Sequence, residues 1–319
     1  MDQLWVPILT HYRDGAIDTA RIAAHLAAIR GEVRSILLAG STGDGWAVDD
    51  AGFETLLGLL RDPAAFPAGT TVMVGTLRDT TDNVLARIGQ VRRFLDAGPI
   101  AATFAGVTVC PPVDADADQA AILAHYDRVL EASPWPISVY QLPQITKCVL
   151  APETLQQLSA HPKVVMFKDS SGADAVATSG RDFGKVELVR GAEGGYLDHL
   201  APQGRYHGWL LSTGNAFARP LREILRLAAA GERTAAQALS DRLSAGVATL
   251  FAEAAKVPFS NAFSNANRAA DHILAHGCGW RRAPAPETIG GERLPPALLE
   301  TAEAVVAENV GVPERGYLA

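Results

Sequence analysis

The stretch VVMFKDSSG at residues 164–172 ends an unbroken apolar run in a lysine and turns polar immediately afterwards. A short continuous apolar run closed by turn residues reads as a strand buried on both faces, as strands of parallel sheets are. Comparable runs lie at 6–12, 35–40, 71–77, 106–110, 137–142, 186–190 and 208–213. Between them, DTARIAAHLAAIRG, DNVLARIGQVRRFLDAG, QAAILAHYDRVLEAS and PETLQQLSAH repeat apolar residues at three- and four-residue steps. That is the period of a helix covering a sheet. Eight strands each followed by a helix predict an α/β fold, a (β/α)8 TIM barrel, with the seventh helix, around 196–201, the weakest in pattern. After ARPLREILRLAAAG, helical patterns at 234–255, 261–276 and 298–309 predict a C-terminal helical extension packed on the barrel. The expected division is a catalytic barrel over 1–232 and an extension over 233–319, with a Pro-rich surface loop at 283–296.

Composition narrows the function. A net charge of −7, a pI near 5.6 and no basic run argue against a nucleic-acid partner, which needs clustered cations. Cys110, Cys148 and Cys278 are scattered singly, which suits a reducing cytoplasm better than a disulfide framework. The N-terminal MDQLWVPILTHYRDG carries acid too early for a signal peptide, and no run approaches the roughly 20 apolar residues of a membrane span. The expectation is a soluble cytoplasmic protein acting on a small molecule, without membrane contact, metal or cofactor.

Several patterns imitate sites without completing them. Asp114, Asp116 and Asp118 resemble the start of a calcium loop, but Gln119 stands where glycine is needed, so they read as caps of the next helix. His272 and His276 read as helix-surface histidines, lacking H-E-x-x-H or nearby cysteine. His11 and His207 flank the first and eighth strands with no carboxylate in ligand-like spacing, which disfavours a metal-dependent aldolase. Ser170 and Ser171 lack a G-x-S-x-G elbow, which disfavours a serine hydrolase.

In such a barrel, reacting groups sit at the C-terminal ends of strands. Of the five lysines, Lys168 alone follows an uninterrupted apolar strand. Desolvation there would free its amine to attack a carbonyl, although a snorkelling side chain fits the position equally well. Tyr140 ends the preceding strand, PISVYQLP; it suits proton transfer or a satisfied place in the core. GSTGDG at 40–45 follows the second strand and can nest an anion on backbone N–H groups. Without a following Gly-Lys-Ser/Thr it is no phosphate loop. Arg78, in GTLRDTT, stands where it could reach the barrel mouth and anchor a distal acid, or simply lie on the surface.

GSTG, VYQLP and FKDSSG, in this order and spacing, resemble the dihydrodipicolinate synthase / N-acetylneuraminate lyase family of class I, Schiff-base-forming aldolases. VPILTHYRDGAID looks like that family's first strand and GWLLSTGN like its eighth, so the resemblance covers roughly residues 5 to 280. It implies that Lys168 forms the Schiff base, that Tyr140 transfers protons and that Ser41 hydrogen-bonds Tyr140. It also implies that Ser41 and Thr42 hold the carboxylate of a 2-oxo acid, that Gly191 and Leu210 line the pocket, and that the protein is a homo-oligomer, a tetramer or dimer. Departures from the family pattern are specific. Pro112 and Val113 stand where synthases carry a tyrosine pair, Ile145 where they carry a dicarboxylate-binding arginine, and Asp44 where the usual glutamate lies. The expectation is a divergent lyase or aldolase acting on pyruvate or a 2-oxo-3-deoxy sugar acid, and not a true dihydrodipicolinate synthase. A Schiff-base dehydratase is the alternative, and a non-catalytic oxo-acid-binding protein the less favoured one.

Overall fold

In the computed structural model, which describes residues 2–319, eight parallel strands close into a barrel in chain order. They are β1 (Leu4–Pro7), β2 (Ser35–Leu38), β3 (Thr71–Gly75), β4 (Thr103–Val109), β5 (Ile137–Gln141), β6 (Val164–Asp169), β7 (Glu187–Arg190) and β8 (Gly208–Leu210). β8 returns to pair with β1 through Leu4 opposite Trp209 and Trp5 opposite Leu210. Trp5, Leu37, Met73, Met166, Val189 and Leu210 fill the interior as one packed layer. Helices cover the outside, so strand residues are buried on both faces and the apolar runs are continuous rather than alternating.

The covering helices begin at short polar caps. α1 (Thr19–Ile29), α2 (Asp50–Gly58), α3 (Thr81–Asp96) and α4 (Gln119–Ala132) are capped by Asp18, Asp49, Thr80 and Asp118. Each cap accepts from a first-turn N–H, worth about 1 kcal/mol per helix. Asp118 is therefore one of the caps expected from the acidic stretch, bonded to Ala121 N at 2.8 Å. α5 (Pro152–Ser159) follows β5 after a one-turn helix, and α6 (Gly214–Ala229) follows β8.

The repeat departs from expectation in its sixth and seventh units. After β6 there is a single helical turn, Ala175–Thr178, and after β7 the predicted helix at 196–201 does not form. Gly191, Gly194, Gly195, Pro202 and Gly204 crowd that segment, which favours turns over helix. The extension covers the gap. α7 (Arg233–Ala254) places Ser240 and Ser244 to accept from the N–H groups of Leu197 and Gly195 at 3.2 and 3.0 Å. α8 (Ala262–His276) and α9 (Pro296–Asn309) pack on it and on each other. The first strand also ends earlier than its apolar run, because Tyr12–Arg13 pairs with Ala16–Ile17 in a small hairpin at the barrel rim. No helix among the described residues is long and apolar enough to cross a membrane.

Candidate active site

The C-terminal ends of β5 and β6 place Tyr140 directly beside Lys168 in the strand register. Lys168 Nζ lies 4.0 Å from the centroid of the Tyr140 ring. Both side chains are buried, at 4% and 2% exposure. Burial pulls the Lys168 ammonium down to about 7, with Cys110 and Glu193 pulling weakly the other way. Burial also drives the Tyr140 phenol well above its ordinary value, with the hydroxyls of Ser41 and Ser170 opposing. The pair therefore holds an amine that is substantially neutral near pH 7 beside a phenol that keeps its proton, able to donate at a developing oxyanion.

Gly191 makes room for this amine. A Cβ on it would stand 2.6 Å from Lys168 Cε and 2.2 Å from Ser170 Oγ, so any larger residue would displace those side chains. Leu210 lies deeper, in the interior layer with Met166, two residues before Lys168 on the same strand face. The structure thus brings Gly191 against the lysine and sets Leu210 in the packing beneath it.

The GSTGDG turn lies across the mouth from Lys168. Ser41 Oγ is 3.4 Å from the Tyr140 hydroxyl and accepts from Trp46 Nε1 at 3.0 Å. Ser41–Gly43 forms one tight helical turn after extended Gly40, with Asp44 in the left-handed region at φ 57°. The N–H groups of Gly43 and Gly45 close back on Gly40 O, whereas those of Ser41 and Thr42 have no acceptor among the described residues. Two adjacent unpaired donors at a helix start can receive an anion.

That turn is held from outside the barrel. From the start of α8, Asn261 Nδ2 donates to Ser41 O at 3.3 Å and Ser264 Oγ to Thr42 O at 2.8 Å. Arg268, further along α8, pairs with Asp44 and donates to Thr10 O, while Tyr12 donates to Asp44 at 3.0 Å. Arg268 and Asp44 are both essentially without solvent contact. Nothing in the sequence linked α8 to residues 41–44, because some 220 residues separate them.

Arg78 is placed differently from an anion anchor. Its Nη1 donates to Gly45 O, Trp46 O and Leu77 O at 2.9, 3.1 and 3.0 Å, and its Nη2 to Val48 O. It braces the loop after the GSTGDG turn. Glu193 was not singled out by sequence reasoning. It follows β7 and accepts from Ser212 Oγ at 2.7 Å, Thr213 N at 3.0 Å and the Tyr196 hydroxyl at 3.1 Å. Its signal was faint, an acid three residues past a strand end.

Two histidine readings need correction. His272 is buried rather than on the helix surface, with Nε2 facing Trp280 O at 3.2 Å, and burial lowers it to about 4. His11 does acquire a carboxylate: Asp271 of α8 lies 3.6 Å from both His11 and His25. His25 Nε2 faces Asn215 O at 3.0 Å and so carries its proton, which makes His25 Nδ1 the acceptor for His11 Nε2 at 2.9 Å. Asp271 also receives Arg21 and Tyr317. Burial alone would raise the Asp271 carboxyl, but Arg21 above all reverses this and holds it well below the carboxylate range. With His11 Nε2 and His25 Nδ1 engaged with each other and a guanidinium on the carboxylate, the trio is a hydrogen-bond network and a poor cation site.

The family model for the dihydrodipicolinate synthetase family matches residues 98–269. The 4-hydroxy-tetrahydrodipicolinate synthase of Xanthomonas axonopodis pv. citri (strain 306) is 32% identical over 222 residues, 68% of each chain. The chain belongs to the dihydrodipicolinate synthetase family. The synthase of Stenotrophomonas maltophilia (strain R551-3) is 31% identical over 243 residues, 72% of this chain and 74% of that one. The Exiguobacterium sp. (strain ATCC BAA-1283 / AT1b) synthase is matched over only 46% of its length, at 31% identity over 45% of this chain, so the chain spans about half of that relative. Among solved structures, KD(P)GA from T. tenax superposes with a TM-score of 0.74 at 18% identity, covering 97% of this chain and 99% of that one. Dihydrodipicolinate synthase from Thermotoga maritima superposes at 0.74 and 17% identity, covering 96% and 98%. At those identities the structural likeness speaks for the barrel alone.

Proposed function

We propose that this family member is a class I lyase in which Lys168 forms a Schiff base with a 2-oxo acid, pyruvate or a longer 2-oxo acid that yields it. The observation carrying this reading is a buried lysine lowered to about 7 at a barrel strand end, against a buried tyrosine. A neutral amine attacks the 2-oxo carbon and water leaves. The resulting protonated imine is an electron sink, so the adjacent carbon can lose a proton or break a C–C bond. Tyr140 supplies and recovers the proton at the carbinolamine, and Ser41 orients its hydroxyl. The N–H groups of Ser41 and Thr42 hold the substrate carboxylate, and Gly191 leaves space for the imine. Leu210 supports the floor from the interior layer.

The reaction is not dihydrodipicolinate synthesis on this reading, because Ile145 offers no cation to a dicarboxylic partner and Arg78 is spent on loop carbonyls. A dehydratase using the same imine to expel a β-hydroxyl is the second reading. Glu193, held at the site by Ser212 and Thr213, favours it to the extent that it can take a proton from the substrate. The working context is a cytoplasmic homo-oligomer, tetramer or dimer, an assignment that rests on the family and on the scattered single cysteines.

Borohydride reduction in the presence of pyruvate, followed by peptide mass mapping, tests the proposal. A stable adduct on Lys168 is expected, absent in Lys168→Ala. An adduct elsewhere, or none, overturns it. An adduct with no 2-oxo acid turned over would make the protein a binder.

A further inference from the structure

The mouth above Lys168 has two unlike sides, and they point to the chemistry of the second reactant. On one side Leu77, Cys110, Tyr140 and Leu142 form a buried apolar cluster, with the partly exposed Trp46 and Ile145 packed against it. These residues come from the ends of four consecutive strands, β2 to β5, and the turns after them. Tyr140 belongs to the cluster and is also the ring over Lys168 Nζ, so the wall begins at the reacting atoms. Trp46 is tied to the same place by its bond to Ser41. On the other side stands Glu193, whose carboxylate is fixed by Ser212 and Thr213 and lies near enough to Lys168 to act on its charge.

Three cations that end or follow the neighbouring strands already have protein partners. The Arg78 Nη atoms are spent on four carbonyls. Arg190 pairs with Asp174 and donates to Ala192 O and Gly194 O. Lys147, exposed, donates to Gln144 O at 2.8 Å. An anionic reactant would therefore meet an apolar wall and a carboxylate, losing its hydration without a counter-charge.

We infer that the carbonyl compound joined to, or released from, the enamine is a neutral aldehyde with an apolar side chain, seated against Trp46, Leu77, Leu142 and Ile145. This rests on the Schiff-base reading. Pyruvate and Lys168 condense with loss of water to an imine, and loss of a methyl proton gives the enamine. Its terminal carbon attacks the aldehyde carbon, whose oxygen takes up a proton. Water then hydrolyses the imine, releasing a 4-hydroxy-2-oxo acid and the free amine. Cleavage is the reverse.

The test is aldol addition of pyruvate to a panel of aldehydes, read by mass spectrometry of the product. Isobutyraldehyde and benzaldehyde represent the apolar class, glyoxylate and succinic semialdehyde the anionic class, and glyceraldehyde the polyols. The apolar aldehydes are expected to lead in kcat/KM by about tenfold or more, the scale of one uncompensated polar group. Ile145→Arg is expected to shift the ratio toward succinic semialdehyde by about tenfold. Preference for an anionic aldehyde or for glyceraldehyde overturns the inference, as does trapping of pyruvate with no aldehyde product. Failure of trapping itself overturns the underlying Schiff-base reading instead, so the two failures are distinguishable.

Discussion

Lys168 and Arg268 are 4% and 1% exposed, yet the protein treats their charges in opposite ways. Arg268 is given a carboxylate, Asp44, and a carbonyl, Thr10 O, and it ties the extension to the GSTGDG turn. Lys168 is given an aromatic face and an apolar wall, and Glu193, an acid that acts on its charge, is itself occupied by three donors. Burial with compensation preserves a charge and makes a structural joint. Burial without it lowers the amine to about 7, the state the proposed nucleophile needs. The difference lies in what the neighbours supply, and depth is the same for both.

The largest break in this comparison comes from removing the amine. Lys168→Met is expected to abolish pyruvate trapping and turnover, yet raise the melting temperature at pH 7. The sign follows from linkage. The native amine sits near 7 and the unfolded one near 10.5, so the unfolded chain holds an extra proton between these values. That favours unfolding as pH falls from 10.5 to about 7, and the cost is constant below. A melting temperature that drops in Lys168→Met would contradict the uncompensated charge. Tyr140→Phe should keep the fold and lower kcat by about 10²–10⁴-fold, the usual span for a proton-transfer group. Unchanged turnover would remove Tyr140 from the chemistry.

Arg268→Met breaks the compensated side, leaving the buried Asp44 without a cation and with only the Tyr12 hydroxyl donating to it. A loss of about 3–5 kcal/mol in denaturant unfolding is expected, with KM for pyruvate raised more than kcat is lowered. Equal changes in both would detach Arg268 from the nest. The pH profile is a gentler probe. With the free-enzyme amine near 7, kcat/KM for pyruvate should climb about tenfold per unit below that pH and level above it. A profile flat from pH 5 to 8 would mean that the amine is not the titrating group. Smallest of all, Ser264→Ala deletes one bond to Thr42 O and should cost about 1 kcal/mol; a variant indistinguishable from the parent would show that the bond does not hold the turn.

The barrel was legible because burial on both faces forces continuous apolar strands, and Lys168 stood out as the polar end of one of them. Caps such as Asp118 were legible because they act over three residues. The missing seventh helix was hidden by a short apolar stretch, Tyr196–Leu197 and Leu200, that packs beneath α7 as loop rather than helix. Glu193, the buried His272 and the Arg268–Asp44 joint depend on contacts between distant segments, and spacing carries no trace of those. Arg78 shows the converse. Its position at a strand end suggested a ligand, but the curled loop at 45–48 supplied carbonyls that no periodicity announces.

The three bonds from α8 to the GSTGDG turn also set an order of events in synthesis. Residues 41–44 are made early, but Asn261, Ser264 and Arg268 leave the ribosome only after the last barrel strand has emerged. Contacts of such sequence separation form late. A nascent chain that has already closed its barrel therefore holds the lysine without a braced GSTGDG turn, and the brace arrives only with residues 261–268.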